Sequence, residues 1–546
     1  MKNSVVRMFV LAIITAMVTL TSCKDDPSPV FADPTITVTP STASQAPGGK
    51  VTFSIAISAP GNAASVKLND DEIKSYSTDT DADAFTYEYT VPSGATSGNL
   101  TFTVTDKQSP AKTGTTTVAL TVGKETVTVD ATITANTTWT ANKYYLLKGN
   151  VYVQSGAELT IEPGTIILGD KVTKGALVIS RGAKIHAKGT AAKPIIFTSS
   201  APKGFRNYGD WGGVVLLGKA VNNQSVDQAI EGISAPTGDN GKHGGTVDDD
   251  STGEFYYVRI EFAGIALSTD NELNGLTFGS VGSGTEVHHI QVSFSGDDSY
   301  EWFGGTVNTS YMVAYRGWDD EFDTDFGFRG KNQFLASFRD PNIADKSGSC
   351  GFESDNDGSG STKTPLTAPV FANVTIFGPY VFANLSGGNL STNNASANYT
   401  NGAHLRRRTA IQIYNTALVG WGRTNGIFFD KTDATGVFQG NYLGRTVGNL
   451  KTTDAANGFS DANFATDNPA IEAVQSTVDL SAKFAGMTGA MAIATPNGLL
   501  AAGSPLLTGA ATVPAGLTQT AYVGAFDATT NWMTGWTNFD PINTEY

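Results

Sequence analysis

The feature that most constrains the fold is a run of short β-prone segments, each closed by a glycine turn, that begins near Gly149. The stretches "GNVYVQSGAELTIEPGTIILG", "GALVISRGAKIHAKGTAAKPIIFTSS" and "GDWGGVVLLGKA" follow one another in close succession. Each segment is too short to bury its own apolar face, so successive turns of chain must stack to complete a core. We therefore predict an all-β solenoid.

The composition of the whole chain agrees with a β solenoid. The 546 residues exceed what one ordinary compact core holds, and 60 glycines with only 16% charged residues indicate turn-rich β structure. The formal charge is −15, from 36 Lys and Arg against 51 Asp and Glu. Because no basic stripe is present to neutralise phosphates, we expect no nucleic acid partner.

The first residues predict export and lipid anchoring. The stretch "MKNSVVRMFVLAIITAMVTLTSC" carries two positive charges before an apolar run that stops at Cys23. This pattern predicts a signal peptide over residues 1–22. The "LTSC" end resembles the lipobox of bacterial lipoproteins, which implies a lipid on Cys23 and attachment to a membrane without a spanning helix. The following "KDDPSP" resembles the acidic export signal of surface lipoproteins in Bacteroidetes, which implies an outer membrane lipoprotein exposed at the cell surface.

Composition divides the remaining chain into four regions. Residues 23–34 are rich in Pro, Ser and Asp and predict a lipidated tether. Residues 35–123 alternate apolar and polar positions between turns, which predicts an immunoglobulin-like β-sandwich serving as a spacer. Residues 124–430 are predicted to form a parallel β-helix, and residues 431–546 an irregular region that caps its open end through Trp532 and Trp536. With Cys23 lipidated, Cys350 has no partner for a disulfide.

Two carboxylate-rich stretches repeat within the predicted β-helix. "SGDDSYEWFGG" from Ser295 and "RGWDDEFDTDFGF" from Arg316 align with an offset of 21 residues, which becomes 22 after Trp318. About 22 residues is a plausible length for one coil, so equivalent positions should lie one above another. The stretch "GFESDNDG" adds a third copy. We predict a stacked rung of Glu301, Asp323 and Glu353, with Asp325 and Asp355 beside it.

Stacked carboxylates require compensation of their charge. Adjacent strands lie about 4.8 Å apart, where two unit charges repel by roughly 3–4 kcal/mol at an effective dielectric constant near 20. Raised carboxylate pKa values, pairing with Arg316, Arg329 or Arg339, splaying into water, or a bound cation would each relieve the repulsion. Abundant oxygen ligands, with no cysteine cluster and five scattered histidines, favour Ca²⁺ over a transition metal. The predicted metal-binding residues are Asp297, Asp298, Glu301, Asp319, Asp320, Asp323, Asp325, Glu353 and Asp355.

Aromatic and histidine residues of the same coils give two further predictions. Trp302 and Trp318 lie at predicted turn edges, where they would stack against a sugar while the acidic rim binds its hydroxyl groups. Adjacent residues of a strand face opposite sides, so His288 and His289 are not expected to point at one metal.

Two stretches carry resemblances to known β-helix proteins. "LTIEPGTII" and "ALVISRGAKIHAKGTAAKPIIFTSS" resemble the opening coils of right-handed parallel β-helix proteins, a fold that supports lyases, hydrolases and adhesins alike. "VHHIQVSFSGDDSYEWFGGTVNTSYMVAYRGWDDEFDTDFGFRGKNQF" through "GFESDNDG" resembles an uncharacterised family of secreted or lipid-anchored β-helix proteins widespread in Bacteroidetes and some Proteobacteria. The resemblance covers roughly residues 140–546, and it implies the fold without an assigned activity.

Two classes of function follow. The first is a non-catalytic cell-surface lipoprotein that binds or presents a polysaccharide or an outer-membrane protein through a Ca²⁺-stabilised acidic face. The alternative is a polysaccharide lyase or glycoside hydrolase of β-helix type. In a lyase, carboxylates including Asp323 would hold a metal against a uronate, and Arg316 or Arg329 would take the proton. We find no polygalacturonase-type series, no G-x-S-x-G and no HExxH, so the first class is preferred.

Overall fold

The computed structural model describes residues 30–546 except 234–236, 269–270, 383–394, 422–424, 431–432, 447, 454–459, 473–479 and 488–491. The predicted signal peptide and lipidation at Cys23, with most of the predicted tether, lie outside the described residues. The chain divides into two compact units after Lys124. Within the described residues, no helix is long and apolar enough to cross a membrane.

The first unit consists of two β-sheets around one core. Its strands are β1 Thr35–Thr39, β2 Thr42–Gln45, β3 Lys50–Ser58, β4 Ala63–Leu68, β5 Asp71–Ser75, β6 Ala82–Thr90, β7 Gly98–Asp106 and β8 Thr113–Val122. The sheet orders are β1-β3-β6 and β2-β8-β7-β4-β5. Strict alternation along β3 and β7 turns Phe53 and Phe102 inward, where their rings meet edge to face. The immunoglobulin-like assignment of this unit stays a prediction.

The second unit is a right-handed parallel β-helix, as the glycine-punctuated repeats predict. Its first strands are β9 Glu125–Val129, β10 Thr137–Trp139, β11 Lys143–Leu147, β12 Asn150–Val153, β13 Glu158–Ile161, β14 Ile166–Gly169, β15 Ala176–Ile179, β16 Lys184–Lys188, β17 Ile195–Ser199, β18 Gly213–Leu217, β19 Gln228–Ala229 and β20 Lys242–His243. The central strands are β21 Gly253–Glu261, β22 Ala266–Ser268, β23 Asn271–Glu272, β24 Leu276–Val281, β25 Glu286–Ser293, β26 Tyr300–Gly305, β27 Asn308–Tyr315, β28 Phe322–Asp325, β29 Lys331–Phe338, β30 Phe352–Ser354 and β31 Val370–Phe377.

The last strands of the β-helix are β32 Ala403–Arg406, β33 Ala410–Tyr414, β34 Ala417–Val419, β35 Asn425–Asp430, β36 Thr435–Gln439, β37 Tyr442–Gly444 and β38 Gly448–Thr452. Two short helices occur, α1 Pro379–Phe382 and α2 Asp461–Asp467, and single 3₁₀ turns span Leu480–Ala482, Ala492–Ala494 and Pro505–Leu507. The parallel strands continue beyond Asp430 as far as Thr452, so the β-helix extends past the boundary predicted from the sequence.

The coils build three faces from two large sheets. One sheet has the order β12-β15-β18-β24-β26-β28-β30-β32-β35-β38 and forms one flat face, which we call the ten-stranded sheet. The other sheet bends, because β21 pairs with β16 through its first half and with β17 through its second half. The bend occurs at a residue with left-handed backbone conformation in each long strand: Tyr257, His289, Tyr311, Phe334 and Asn373.

Apolar side chains from all three faces fill the inside of the coils. Phe278, Tyr300, Trp302 and Phe322 of the ten-stranded sheet meet aliphatic residues of the bent sheet in one continuous core. Phe278 and Trp302 stack in parallel with 5.4 Å between ring centroids, as do Tyr300 and Phe322 at 5.7 Å. The stacking of equivalent residues follows from the parallel register and supplies apolar burial along the whole solenoid.

The described residues of 480–546, here called the C-terminal segment, run back along the outside of the bent sheet. Apolar residues of this segment, among them Phe484, Phe526 and Trp536, form a second core with outward side chains of the long strands. The hydrogen-bonded pairs proceed from late coils to early ones: Asn415 with Ala511, Gln333 with Thr518, Gln291 with Asn538, and Tyr144 with Tyr546. The predicted capping role is therefore wrong, because this segment covers a side of the β-helix.

Candidate functional site

The predicted acidic rung lies on the outward face of the ten-stranded sheet. Strand β26 pairs with β28 so that Glu301 is opposite Asp323, and β28 pairs with β30 so that Asp323 is opposite Glu353. The alternate residues Tyr300 and Phe322 point into the core. The stacking that the sequence repeat predicts is therefore confirmed.

The same column of outward side chains continues with a different chemistry. After Glu353, the next three strands place His404, Phe428 and Lys451 in register. The rings of His404 and Phe428 stack with 5.2 Å between centroids, and Lys451 Nζ lies 4.4 Å from the Phe428 ring centroid. One column on one face thus runs from carboxylates to basic side chains.

Four aspartates in turns lie beside the acidic end of this column. Asp297 and Asp298 precede β26, and Asp319 and Asp320 precede β28. The Asp320 backbone N–H donates to Asp298 Oδ1 at 2.8 Å, and the Cys350 backbone N–H donates to Asp320 Oδ1. Each turn therefore fixes the carboxylate of the turn in the preceding coil.

A cavity of about 700 Å³, here called the acidic cavity, brings all of these side chains together. Its acidic lining residues are Glu231, Glu272, Asp297, Asp298, Glu301, Asp319, Asp320, Asp323, Asp325, Glu353 and Asp355. Its basic and aromatic lining residues are Phe303, Phe326, His404, Arg406, Arg407, Phe428 and Lys451. Every residue predicted to bind metal lines this one cavity.

Arginine neutralises only one end of the acidic cavity. Arg406 Nε donates to Asp355 Oδ2 at 2.7 Å, and Arg406 Nη2 pairs with Glu353. Arg407 Nη1 lies 3.3 Å from the same Asp355 oxygen. Among the residues that the structure describes, no ion pair reaches the other predicted ligands, which are Asp297, Asp298, Glu301, Asp319, Asp320, Asp323 and Asp325.

Burial and mutual repulsion raise the pKa values of these carboxyl groups. Burial is the larger cause of the raised pKa of Asp298 and of Glu301, and the charges of Asp320 and Asp323, respectively, raise them further. Burial likewise raises the pKa of Asp355 to about 7. The ionised forms of Asp298 and Glu301 are therefore disfavoured unless a positive charge enters the cavity.

Two sets of three carboxylates are close enough to share a cation. Single oxygens of Asp298, Glu301 and Asp323 lie within 4.8 Å of one another, and the same is true of Asp297, Asp298 and Asp319. Asp319 Oδ1 is also buried without a hydrogen-bond partner in the described part of the chain. Ca²⁺ takes six to eight oxygen ligands at about 2.3–2.6 Å, and carboxylates are its preferred donors. The donor set therefore fits Ca²⁺.

The two predicted ligand-binding tryptophans do not lie in the acidic cavity. Trp302 is completely buried and its ring stacks against Phe328 in the core. It points inward because its neighbour Glu301 points outward along the same strand. Trp318 is half-buried and packs edge-on against Tyr208. The prediction of a sugar-stacking side chain is therefore wrong for Trp302, and for Trp318, which does not line the acidic cavity, it stays a prediction.

The three arginines considered as partners of the rung also lie outside the acidic cavity. Arg316, Arg329 and Arg339 pair instead with Asp340, Asp248 and Glu321, at 3.2, 3.2 and 2.6 Å. Pairing of the rung by these residues, and a lyase base at Arg316 or Arg329, are therefore wrong. Asp323, the remaining residue of the lyase prediction, does line the cavity.

His288 and His289 lie closer together than the sequence predicts. Their Nδ1 atoms are 2.8 Å apart. The prediction of opposite faces assumed an extended strand, whereas His289 has a φ of 53° and forms the bend of its coil. His288 stacks on Tyr256 with 4.5 Å between ring centroids. The pair therefore belongs to the corner of the bent sheet and not to the acidic cavity.

Sequence reasoning missed several residues of the cavity. The run "RRR" from Arg406 was the available signal for Arg406 and Arg407, since it lies one coil beyond the third acidic copy. His404 and Lys451 carry no signal of their own, because their place depends on the register of coils of unequal length. Glu231 and Glu272 come from segments outside the repeat.

Comparison with known proteins identifies one family. The family model described as a pectate-lyase like beta helix domain matches residues 131–537. No curated protein and no solved structure matches the chain. The match covers most of the β-helix and most of the C-terminal segment that packs on it.

Proposed function

The chain belongs to the pectate-lyase like beta helix family, and from this premise we propose that its acidic cavity binds Ca²⁺ and, through it, an anionic polysaccharide. The observation that carries the proposal is a set of carboxylates that share one cavity without an ion pair among the described residues: Asp297, Asp298, Glu301, Asp319, Asp320, Asp323 and Asp325. Several buried negative charges are costly in a protein whose net stability is roughly 5–15 kcal/mol. A divalent cation removes this cost.

The column on the ten-stranded sheet supports an extended ligand. From Glu301 to Lys451 the column crosses six strands, and at about 4.8 Å per step it spans roughly 24 Å. Its acidic end would hold Ca²⁺, which bridges protein carboxylates to those of the polymer. Its other end presents Lys451 beside the Phe428 ring. Both ends therefore favour a ligand that carries carboxylates along its length.

The same proposal places the protein on the cell surface. The apolar run that stops at Cys23 supports lipidation at that residue, and "KDDPSP" supports export to the outer face of the outer membrane. In this arrangement the first unit acts as an immunoglobulin-like spacer and the β-helix as the binding module. An outer-membrane protein that takes up the captured polysaccharide is the second partner that such a location implies.

Affinity electrophoresis of the purified protein tests the proposed function. We expect polygalacturonate in the gel to retard the protein in Ca²⁺ and not after chelation, while neutral dextran has no effect. The double variant Asp298→Asn and Asp323→Asn should bind at least about tenfold more weakly, a loss of about 1.4 kcal/mol. The variant Asp130→Asn, at an exposed aspartate of the same unit, is the matched control. Equal retardation with and without Ca²⁺ would refute the proposal.

A lyase activity is a second candidate, and one observation favours it. Basic side chains, Arg407 and Lys451, line the same cavity as the carboxylates proposed to hold Ca²⁺. Ca²⁺ bound to a uronate would acidify the C–H next to the carboxylate. A neutral basic group would then take that proton as the bond to the glycosidic oxygen breaks, and water would protonate the departing oxygen, leaving an unsaturated uronate.

Release of ultraviolet-absorbing unsaturated product from polygalacturonate distinguishes the two candidates. A binding protein yields none at any pH or Ca²⁺ concentration. A lyase yields product that disappears in Lys451→Ala or Arg407→Ala and after chelation. Product formation that persists in both variants would exclude these residues as the base.

A further inference from the structure

Cys350, Glu353 and His404 form a group that brings a sulfur and a nitrogen donor next to one carboxylate of the acidic rung. Cys350 Sγ, one carboxylate oxygen of Glu353 and one ring nitrogen of His404 lie within 4.8 Å of one another. Cys350 is completely buried just before β30, and the other two residues line the acidic cavity in adjacent strands. A thiol, an imidazole and a carboxylate are the ligand types of zinc sites.

Neighbouring residues orient both cavity-lining members of this group. His404 Nε2 lies 3.4 Å from Asp430 Oδ2, and Arg406 Nη2 holds one oxygen of Glu353. With the His404 proton on Nε2, its Nδ1 atom is an acceptor that lies 3.6 Å from the other oxygen of Glu353. Two acceptors then face each other beside a buried thiol. A histidine that donates its second N–H to a carboxylate is the usual outer arrangement of a metal-bound imidazole.

We propose that Cys350, Glu353 and His404 bind Zn²⁺ or a similar thiophilic divalent cation. This goes beyond the proposed function, since it involves a second metal with different donors. Tetrahedral Zn²⁺ with bonds of about 2.0–2.3 Å needs donors roughly 3.3–3.6 Å apart, so the donors, which lie within 4.8 Å of one another, need to approach by at most about 1.5 Å. Three protein ligands leave a fourth position facing the cavity for water or an oxygen of the ligand.

The Cys350 thiol gives this site its selectivity. Its sulfur is the one soft donor of the group, beside the carboxylate oxygen of Glu353 and the ring nitrogen of His404. Ca²⁺ gains little from sulfur, whereas Zn²⁺ and Co²⁺ gain a strong bond. We therefore expect the two metals to occupy separate positions in the cavity.

Cobalt spectroscopy tests this inference. The probe is Co²⁺ alone, added to the metal-free protein in the Cys23→Ser background, in which Cys350 is the sole thiol. We expect about one Co²⁺ per chain, a thiolate-to-cobalt charge-transfer band in the near ultraviolet, and displacement by Zn²⁺ but not by excess Ca²⁺. The band should disappear in Cys350→Ser. It should disappear or shift in His404→Gln, which keeps the buried thiol intact.

The outcomes separate this site from the proposed Ca²⁺ site. In Asp298→Asn the cobalt band should persist while Ca²⁺-dependent polysaccharide binding is weakened. Absence of the band in the parent protein, or an unchanged band in either Cys350→Ser or His404→Gln, would overturn the inference. If Cys350→Ser fails to fold, the spectrum of His404→Gln still decides the question.

Discussion

At the residue scale, the central feature is a group of carboxylates that the fold buries next to one another. The Asp320 backbone N–H donates to the Asp298 carboxylate, and Glu301 and Asp323 are opposite each other in adjacent strands. Two ionised groups at the strand spacing repel by roughly 3–4 kcal/mol at an effective dielectric constant near 20. The acidic cavity must therefore hold either protons or a cation.

The substitution Asp323→Asn tests the repulsion directly. At pH 8 in chelator, we expect the variant to gain about 1–3 kcal/mol in free energy of unfolding, because one charge of the rung is removed at the cost of weakened hydrogen bonding. We expect it also to lose the Ca²⁺-dependent rise in melting temperature. Thermal and denaturant unfolding measure both effects. The control Asp130→Asn should change neither, and a full Ca²⁺ response in Asp323→Asn would contradict the assignment.

The raised pKa values predict a pH dependence of stability for the metal-free protein. Asp355 has a pKa of about 7 in the folded state, raised chiefly by burial, and the pKa of Asp298 is raised for the same reason. Because the folded state binds these protons more tightly than the unfolded state, the stabilisation from Asp355 is complete below about pH 4 and is lost as the pH rises through about 7, and the stabilisation from Asp298 is likewise lost as the pH rises.

Denaturant unfolding between pH 4 and pH 8 measures this dependence. We expect the free energy of unfolding to fall over this range in chelator, and to fall much less in Ca²⁺, which takes the place of the protons. A metal-free protein that becomes more stable from pH 5 to pH 8 would show that other groups dominate.

Part of the site was predictable at the residue scale. The repeated motif placed Glu301, Asp323 and Glu353 in one column because its equivalent strands pair in parallel register in successive coils. The error on Trp302 was also avoidable, since a strand residue next to an outward glutamate must point inward. The pairing of Glu353 and Asp355 with Arg406 was not predictable, because irregular segments of unequal length separate these coils.

At the element scale, the distinctive feature is the bend in each long strand of the bent sheet. Tyr257, His289, Tyr311 and Phe334 share one register position and left-handed backbone conformation, which is rare for bulky residues. Their rings form a continuous stack, with centroids 4.4, 4.6 and 5.1 Å apart. Aromatic stacking and the C-terminal segment hold this corner together.

The substitution Trp536→Ala tests the contribution of the C-terminal segment. Trp536 is 2% exposed, and its ring meets Tyr257 and His289 edge to face. We expect the variant to lose about 3–5 kcal/mol in free energy of unfolding of the second unit. All tryptophans lie in that unit, so fluorescence during denaturant unfolding reports on it. Trp318→Ala, at a half-buried residue, should lower the free energy of unfolding by less. Equal losses in the two variants would contradict the packing described.

The sequence could not predict this use of the C-terminal segment. Its irregular, Ala-rich stretches and paired tryptophans are equally compatible with a cap at the solenoid end. The position of the segment depends on contacts between residues far apart in sequence, such as Gln291 with Asn538. The left-handed bends could not be predicted from the sequence either, because the residues at the bends are not glycines.

At the scale of the whole molecule, the sequence predicted the fold class well. Short segments with glycine turns require stacking, and the parallel β-helix confirms that requirement. The functional consequence of the fold is that one face carries an unbroken column of outward side chains across many coils. Lipid anchoring at Cys23 would place that face outside the cell.

Detergent partitioning of the expressed full chain tests the anchor. We expect the chain in the detergent phase of a cloud-point extraction of bacterial membranes, because acyl chains contribute about 0.8 kcal/mol per buried methylene. Cys23→Ser should move to the aqueous phase. Cys350→Ser is the matched control and should remain with the detergent. A detergent-phase Cys23→Ser protein would exclude lipidation at that residue as the cause of membrane attachment.

Calorimetric titration of Ca²⁺ into the chelator-treated, dialysed protein measures whether the acidic cavity binds Ca²⁺. We expect saturable binding with a dissociation constant below about 1 mM, weakened at least about tenfold in Asp298→Asn and in Asp323→Asn and unchanged in Asp130→Asn. Absence of saturable binding in the parent protein, or binding that neither cavity variant weakens, would show that the acidic cavity is not a Ca²⁺ site.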